Sequence, residues 1–171
     1  SSVIQHNAVA SGQANMSGTR YTGTDLTGAL NEKPIKDPKK AMKATHKGFE
    51  EKYHQKFFNS YGFANSYSLI VTKETAKKYH LNTVSDFKKH AKDLRVGMDS
   101  SWKDRKGDGY PAFKKEYGFD FGTVRPMQIG LVYDALHSGN LDVAVGYSTD
   151  GRIAAYDLKV LKDDKQFFPP Y

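Results

Sequence analysis

Short apolar runs alternate with helical patterns along most of this chain. Strands are predicted at residues 68–71, 94–98, 141–145 and 158–161. Between them, amphipathic helical patterns are predicted at residues 73–80, 110–117 and 127–138. Because strands that alternate with helices build sheets covered by helices, we predict an α/β fold with a largely parallel sheet.

Local signals mark where several of these elements begin and end. Asp37 and Pro38 predict a helix start, because an aspartate accepts hydrogen bonds from free backbone N–H groups and proline fits the first turn. Thr72 is expected to cap the helix that follows the first strand. Gly118 and Gly139 are expected to end two later helices.

Composition excludes several classes of protein. The 171 residues contain no cysteine, so a disulfide framework, a thiolate zinc site and a cysteine nucleophile are all ruled out. No apolar run reaches the roughly eighteen residues of a membrane-spanning helix. The formal net charge is +7, but lysines and acids are interspersed, which predicts a solvated basic surface and no nucleic-acid partner. A basic nucleic-acid or cell-wall module stays an alternative, and its binding should fall steeply with salt.

Catalytic and metal-binding patterns are missing. Among the histidines only His46 and His54 have a suggestive spacing, on a predicted helix, and we predict no metal, no cofactor and no enzyme activity. Asp99, Asp104 and Asp108 cluster in one segment with basic residues between them, which favours a solvated loop. A catalytic α/β domain that uses this loop remains the enzyme alternative.

Three tyrosines stand beside small polar residues at predicted strand ends. They are Tyr21, Tyr67 and Tyr147. Ligands of open α/β sheets bind at the carboxyl ends of strands, and several aromatic rings around a cavity form a cage for a cation. The pattern predicts a site for a methylated ammonium group. We expect alanine at Tyr67 or Tyr147 to weaken binding at least about tenfold and to leave stability mostly intact.

Two motifs carry a family resemblance. Residues 21–24 read Tyr-Thr-Gly-Thr, and residues 147–152 read Tyr-Ser-Thr-Asp-Gly-Arg. With the 102–110 segment, they resemble the OpuC/ProX-type glycine betaine, carnitine and choline binding proteins, and the similarity runs through essentially the whole chain. These proteins are the substrate-binding components of osmoprotectant ABC importers. Ergothioneine, another betaine, is the alternative ligand on the same scaffold.

The resemblance implies a set of ligand contacts. Tyr21 and Thr24 would lie on one lobe, with the threonine hydroxyl bonding a ligand carboxylate or hydroxyl. Tyr67 and Tyr147 would lie on the other lobe or at the crossing between lobes and complete part of an aromatic box. Asn65 would orient the ligand or Tyr67.

Arg105 has two interpretations. It matches an arginine that reaches the carboxylate of glycine betaine in some relatives, and it could equally form a surface ion pair with Asp104 or Asp108. Arg152 is expected to secure a turn. Residue 24 is a threonine and not an acid. This favours ligands that carry a carboxylate, or a broad range of ligands, over choline alone.

The resemblance also implies architecture and partners. It predicts a two-lobed, type II periplasmic-binding-protein-like fold. Residues 1–65 would be a partial first lobe with the crossing into the second lobe, residues 66–167 a complete second lobe and residues 168–171 a return hinge crossing. The lobes would close on a small quaternary-ammonium solute and dock on an ABC permease driven by an ATPase. The protein would be extracytoplasmic and attached to the membrane by a lipid anchor or by fusion to the permease.

Overall fold

The computed structural model describes residues 2–62 and 64–168. The structure divides into two compact units, one within the first 64 residues and the other spanning Asn65–Phe168. Most of the predicted return crossing at residues 168–171 lies outside the described residues. None of the helices within the described ranges is long and apolar enough to cross a membrane.

The first unit is helical in its described part. Its helices are α1 (Ser2–Ala10), α2 (Thr22–Gly28) and α3 (Pro38–Tyr53). The Asp37 side chain accepts a hydrogen bond from the Lys40 backbone N–H at 3.0 Å, so the predicted start of α3 is confirmed. Apolar side chains of α2, of the segment directly after it and of α3 form a buried core in this unit: Leu26, Leu30, Ala41 and Phe49.

The second unit contains a five-stranded sheet in the order β3-β2-β4-β1-β5. Its strands are β1 (Tyr67–Thr72), β2 (Arg95–Met98), β3 (Thr123–Pro126), β4 (Val143–Tyr147) and β5 (Leu158–Val160). β2 pairs in parallel with β3 and β4, whereas β1 pairs antiparallel with β4 and β5. Four strands therefore share one direction and β1 runs the opposite way.

The prediction of a largely parallel sheet is wrong for the pairings of β1. The sheet is mixed, because the reversed β1 lies between two strands of the common direction and is antiparallel to both. β1 and β4 come from distant parts of the chain, so neither a short hairpin turn nor a single crossover helix signals how they pair.

The helices of the second unit cover this sheet. They are α4 (Lys73–Tyr79), α5 (Ser100–Asp104), α6 (Tyr110–Tyr117), α7 (Val132–His137) and α8 (Arg152–Ala155), with 3₁₀ turns at Val84–Lys89, Ala91–Asp93 and Ile129–Leu131. The Thr72 hydroxyl accepts from the Thr75 N–H at 3.1 Å, and Gly118 and Gly139 adopt positive φ angles of 72° and 76°. The predicted cap and both predicted helix stops are confirmed.

An ion pair fixes the start of β4 against β2. The Arg95 guanidinium lies 2.8 Å from the Asp142 carboxylate, and the Arg95 backbone N–H donates to the same carboxylate at 2.8 Å. These hydrogen bonds lower the pKa of Asp142 below its usual range. One face of the sheet packs on α7 through a cluster of buried side chains: Ile70, Val132, Tyr133, Leu136, Ala144 and Leu158.

Candidate functional site

Two of the predicted tyrosines meet at one edge of the sheet. Tyr67 begins β1 and Tyr147 ends β4, and the two are direct partners in the antiparallel register. Their ring centroids lie 5.1 Å apart at an interplanar angle of 46°. Tyr67 was expected at a strand end, and it lies at the amino end of its strand. The reversal of β1 nevertheless brings it to the edge where β4 ends.

The backbone of Tyr147 is held by a buried tyrosine of α7. The Tyr133 hydroxyl accepts from the Tyr147 N–H at 2.6 Å and donates to the Tyr147 carbonyl at 3.2 Å. Burial raises the pKa of Tyr133 to about 12, so the phenol stays protonated. A Cβ at Gly146 would lie 2.6 Å from the Tyr133 hydroxyl. The absence of a side chain at residue 146 therefore lets this hydroxyl reach the strand.

The ring of Tyr67 is nearly enclosed. Tyr67 is 7% exposed, and its centroid lies 5.9 Å from that of the fully buried Trp102. Its hydroxyl donates to the Asp99 carboxylate at 3.3 Å. Burial, followed by the charge of Asp99, raises the pKa of Tyr67 well above its usual range, so the phenol remains a donor at neutral pH.

A guanidinium group lies over the same ring. The Arg105 Cζ is 5.4 Å from the Tyr67 centroid, and the Arg105 Nε is 2.9 Å from Asp108 Oδ1. The predicted ion pair with Asp108 is thus present, but it is not a surface pair. Asp108 is only 2% exposed, so the expectation of a solvated loop is wrong for this residue. The loop is folded inward because the indole N–H of Trp102 donates to the Asp108 carbonyl at 3.0 Å.

Buried polar contacts connect the loop after β4 to the rest of the second unit. Asn65 is 7% exposed and accepts from the Thr149 hydroxyl at 2.8 Å. Arg152 pairs with Asp150 at 2.7 Å and also donates to the Gly130 carbonyl. The expectation that Arg152 secures a turn is confirmed. The loop that follows Tyr147 is therefore fixed at both of its ends.

The other two predicted residues lie in the first unit. Tyr21 is the residue before α2, and Thr24 lies in the first turn of that helix; both are half-buried. No strand occurs in this unit within the described residues, so the expected strand end at Tyr21 is wrong. Arg20 fixes the turn, because its Nε donates to the 2%-exposed Asp25 carboxylate at 2.9 Å.

Sequence reasoning missed two supports of the aromatic pair. Tyr133 reads as part of the apolar face of a helix, and Asp99 reads as one acid of a solvated loop. A possible signal for Tyr133 was the glycine directly before Tyr147, since glycine inside a strand often marks a close approach. Among residues 2–62 and 64–168, no three side chains of metal-ligating type come together.

The match to a family model and the similarity to a solved structure place the mixed sheet with its aromatic edge among the type II periplasmic binding proteins, a class that binds solutes and does not catalyse reactions. The model of the substrate binding domain of the ABC-type glycine betaine transport system matches residues 1–171, and the chain belongs to this family. The fold class and the non-catalytic nature predicted from the sequence are thereby confirmed.

Relatives agree with this assignment. The carnitine transport binding protein OpuCC of Listeria monocytogenes is 58% identical over 171 residues, which are 100% of this chain and 56% of that protein. The crystal structure of a glycine betaine/carnitine/choline ABC transporter is 78% identical with a TM-score of 0.80, and the match covers 100% of this chain and 62% of that one.

A more distant relative has another solute in its name. The ergothioneine transport permease/ergothioneine binding protein EgtU of Helicobacter pylori is 34% identical over 151 residues, which are 88% of this chain and 27% of that protein. The chain therefore spans little more than half the length of OpuCC and about a quarter of EgtU.

Proposed function

We propose that this chain belongs to the extracytoplasmic solute-binding component of an ABC importer, which captures quaternary-ammonium compatible solutes in an aromatic cage. The solutes are glycine betaine, carnitine and choline, taken up for osmoprotection. The observation that carries the proposal is the pair of tyrosine rings, Tyr67 and Tyr147, 5.1 Å apart at one sheet edge in a chain of this family. The names of the relatives support the choice of solute.

The chemistry of the rings suits such a solute. A trimethylammonium group carries a full positive charge but has no N–H to donate, so ordinary acceptors recognise it poorly. The negative face of an aromatic ring attracts it by about 0.5–2 kcal/mol per desolvated ring. Tyr67 is already nearly water-free, which favours this interaction.

The remaining predicted residues receive roles in the same proposal. Tyr21 contributes a further ring, and the Thr24 hydroxyl bonds the ligand carboxylate or hydroxyl. The Arg105 guanidinium offers N–H donors to a ligand carboxylate while it keeps its ion pair with Asp108. Asn65 acts through Thr149, which it holds at 2.8 Å, and so orients the loop after β4.

Delivery of the solute follows the family pattern in our proposal. Residues 1–65 belong to one lobe, residues 66–167 form the other and residues 168–171 return across the hinge. The lobes close on the solute, and the closed form docks on a permease subunit with its cytoplasmic ATPase. Membrane attachment is through a lipid anchor or through fusion to the permease. No nucleic-acid partner is part of the proposal.

Ergothioneine is the second candidate solute. It carries the same trimethylammonium head, and a relative named for ergothioneine is 34% identical over 88% of the chain. Its thiol-imidazole ring would need partners that a glycine betaine site does not supply. The two candidates therefore differ in the ligand and share the scaffold.

The test is calorimetric titration of the complete gene product with glycine betaine, carnitine, choline and ergothioneine at two salt concentrations. Micromolar or tighter binding of any of the first three supports the proposal. Binding of ergothioneine alone would show that ergothioneine, and not one of the other three solutes, is the ligand of this fold. Binding to a polyanion that disappears at high salt, with no response to the four solutes, would favour the basic-module alternative and refute the proposal.

A further inference from the structure

We propose that Asp99 is a positioning and specificity-determining residue for the cage. In this proposal, its carboxylate fixes the Tyr67 ring through the phenol, and its charge favours ligands that carry only a cation over ligands that also carry a carboxylate. The proposal rests on the function proposed above. Asp99 does not belong to the predicted set of ligand contacts and acts through Tyr67.

Both oxygens of the Asp99 carboxylate are engaged. Oδ1 accepts from the Trp102 backbone N–H at 2.9 Å and thereby begins α5. Oδ2 accepts from the Tyr67 hydroxyl at 3.3 Å. Because the first bond fixes the carboxylate to the backbone of α5, the second bond ties the far end of the Tyr67 ring to the same element.

The ring itself is held from its sides. The indole of Trp102 lies 5.9 Å from the Tyr67 centroid, and Tyr147 lies 5.1 Å from it. With the hydroxyl end tied to Asp99, little rotational freedom remains for the ring. A ring that is already fixed loses little conformational entropy when a cation binds to its face.

Asp99 and Arg105 place opposite charges around one ring. The carboxylate lies at the hydroxyl end, and the guanidinium lies over the ring, 5.4 Å from its centroid. A carboxylate that accepts a hydrogen bond from the phenol polarises the O–H bond and increases the negative character of the ring. It also attracts an ammonium head and repels a ligand carboxylate, whereas Arg105, whose charge is balanced by Asp108 at 2.9 Å, offers short-range N–H donors to a carboxylate.

This arrangement predicts how the ligand range depends on Asp99. Asp99→Asn keeps the cap of α5 through its one carbonyl oxygen, since asparagine caps helices as well as aspartate does. Its NH2 group then stands where Oδ2 accepted from the phenol, so the charge and the acceptor for the Tyr67 hydroxyl are lost together. We expect choline to bind about threefold to tenfold more weakly and glycine betaine to change less than about threefold, because the two effects on a zwitterion partly cancel.

The experiment measures both affinities in the complete gene product by calorimetry. Asp37→Asn is the matched control: it makes the same substitution at another helix cap, where Asp37 accepts from Lys40 at 3.0 Å. This control should leave both affinities unchanged. A second readout is the ¹³Cζ resonance of Tyr67, assigned with Tyr67→Phe, which should shift in Asp99→Asn and not in the control.

The outcomes separate the two proposals. If the wild type binds both solutes and Asp99→Asn changes neither their ratio nor the Tyr67 resonance, the role of Asp99 is refuted while the cage stands. If the wild type binds neither solute, the proposed function fails and the specificity role fails with it. If Asp99→Asn is unstable, Asp99→Ser replaces it, because serine also caps helices without a charge.

Discussion

Replacing Tyr147 by alanine, leucine and phenylalanine separates a cation cage from an apolar pocket. Tyr147 suits this test because its side chain is only half-buried, and its backbone is held by Tyr133 and by the register with β1. Neither support involves the Tyr147 ring. Truncation should therefore change the binding surface more than the fold.

The expected loss follows from the ring's contacts. A desolvated ring contributes about 0.5–2 kcal/mol to a bound cation, and alanine also removes the apolar contact and the ring that supports Tyr67. We expect Tyr147→Ala to weaken binding of the preferred quaternary amine at least about tenfold, or about 1.4 kcal/mol. Tyr147→Phe keeps the π face and should bind nearly as the wild type does. Tyr147→Leu keeps apolar bulk without a π face, so its binding should fall between those of the alanine and phenylalanine variants and be clearly weaker than that of phenylalanine.

The assay is calorimetric titration of the complete gene product, with thermal melting of each variant as a control for folding. If Tyr147→Leu binds as tightly as Tyr147→Phe, the ring acts as apolar bulk and the cation–π reasoning is refuted. Tyr67 is a poorer target, contrary to the expectation of intact stability. It is 7% exposed and packs on Trp102, so alanine there should cost about 3–5 kcal/mol of stability.

Other variants test the supports of the site. Gly146→Ala would place a Cβ 2.6 Å from the Tyr133 hydroxyl, so denaturant titration should show a free energy of unfolding about 1–3 kcal/mol lower than that of the wild type. Gly151→Ala is the control, because a Cβ added there would meet no other side chain or backbone within 4 Å, and it should leave this free energy unchanged. Arg105→Lys keeps the charge but loses the planar fork, so calorimetry should show glycine betaine binding about threefold to tenfold more weakly and choline unchanged. Hydrogen bonds from Arg95 lower the pKa of Asp142, so the Asp142 carboxylate stabilises the fold fully above its unfolded pKa of roughly 3.9. This stabilisation is lost as the pH falls through the folded pKa. In a plot of melting temperature against pH, Asp142→Asn should therefore show a smaller decrease at acid pH than the wild type.

Elements with local end signals could be predicted from the sequence. Thr72 and Gly118 act through groups only a few residues away, so their effect is visible in a short window of sequence. The helix predicted at residues 127–138 begins later, with a 3₁₀ turn before α7. Its first residue, Met127, instead donates its backbone N–H to the Met98 carbonyl at 2.9 Å and extends the pairing of β3. Such pairing depends on a distant strand and leaves no local signal.

The same distinction holds for the candidate site. Tyr67 and Tyr147 could be singled out by their polar neighbours, but their direct pairing depends on the reversed β1, which no local pattern signals. Asp108 looks solvated in sequence because basic residues surround it. Its burial results from the Trp102 indole, which draws the loop inward by binding the Asp108 carbonyl.

The buried ion pair between Arg105 and Asp108 explains how an arginine can lie beside the proposed site for a cation. A guanidinium without a counter-charge over the Tyr67 ring would repel a ligand's ammonium group. The charge of Asp108, 2.9 Å away, largely cancels this repulsion at a distance. The N–H groups of Arg105 are directional donors, so they can still reach a carboxylate at short range. In the proposed site, Arg105 would therefore select a zwitterion without repelling its cationic head, while Asp99 would keep the surroundings of the ring negative enough for the head to bind.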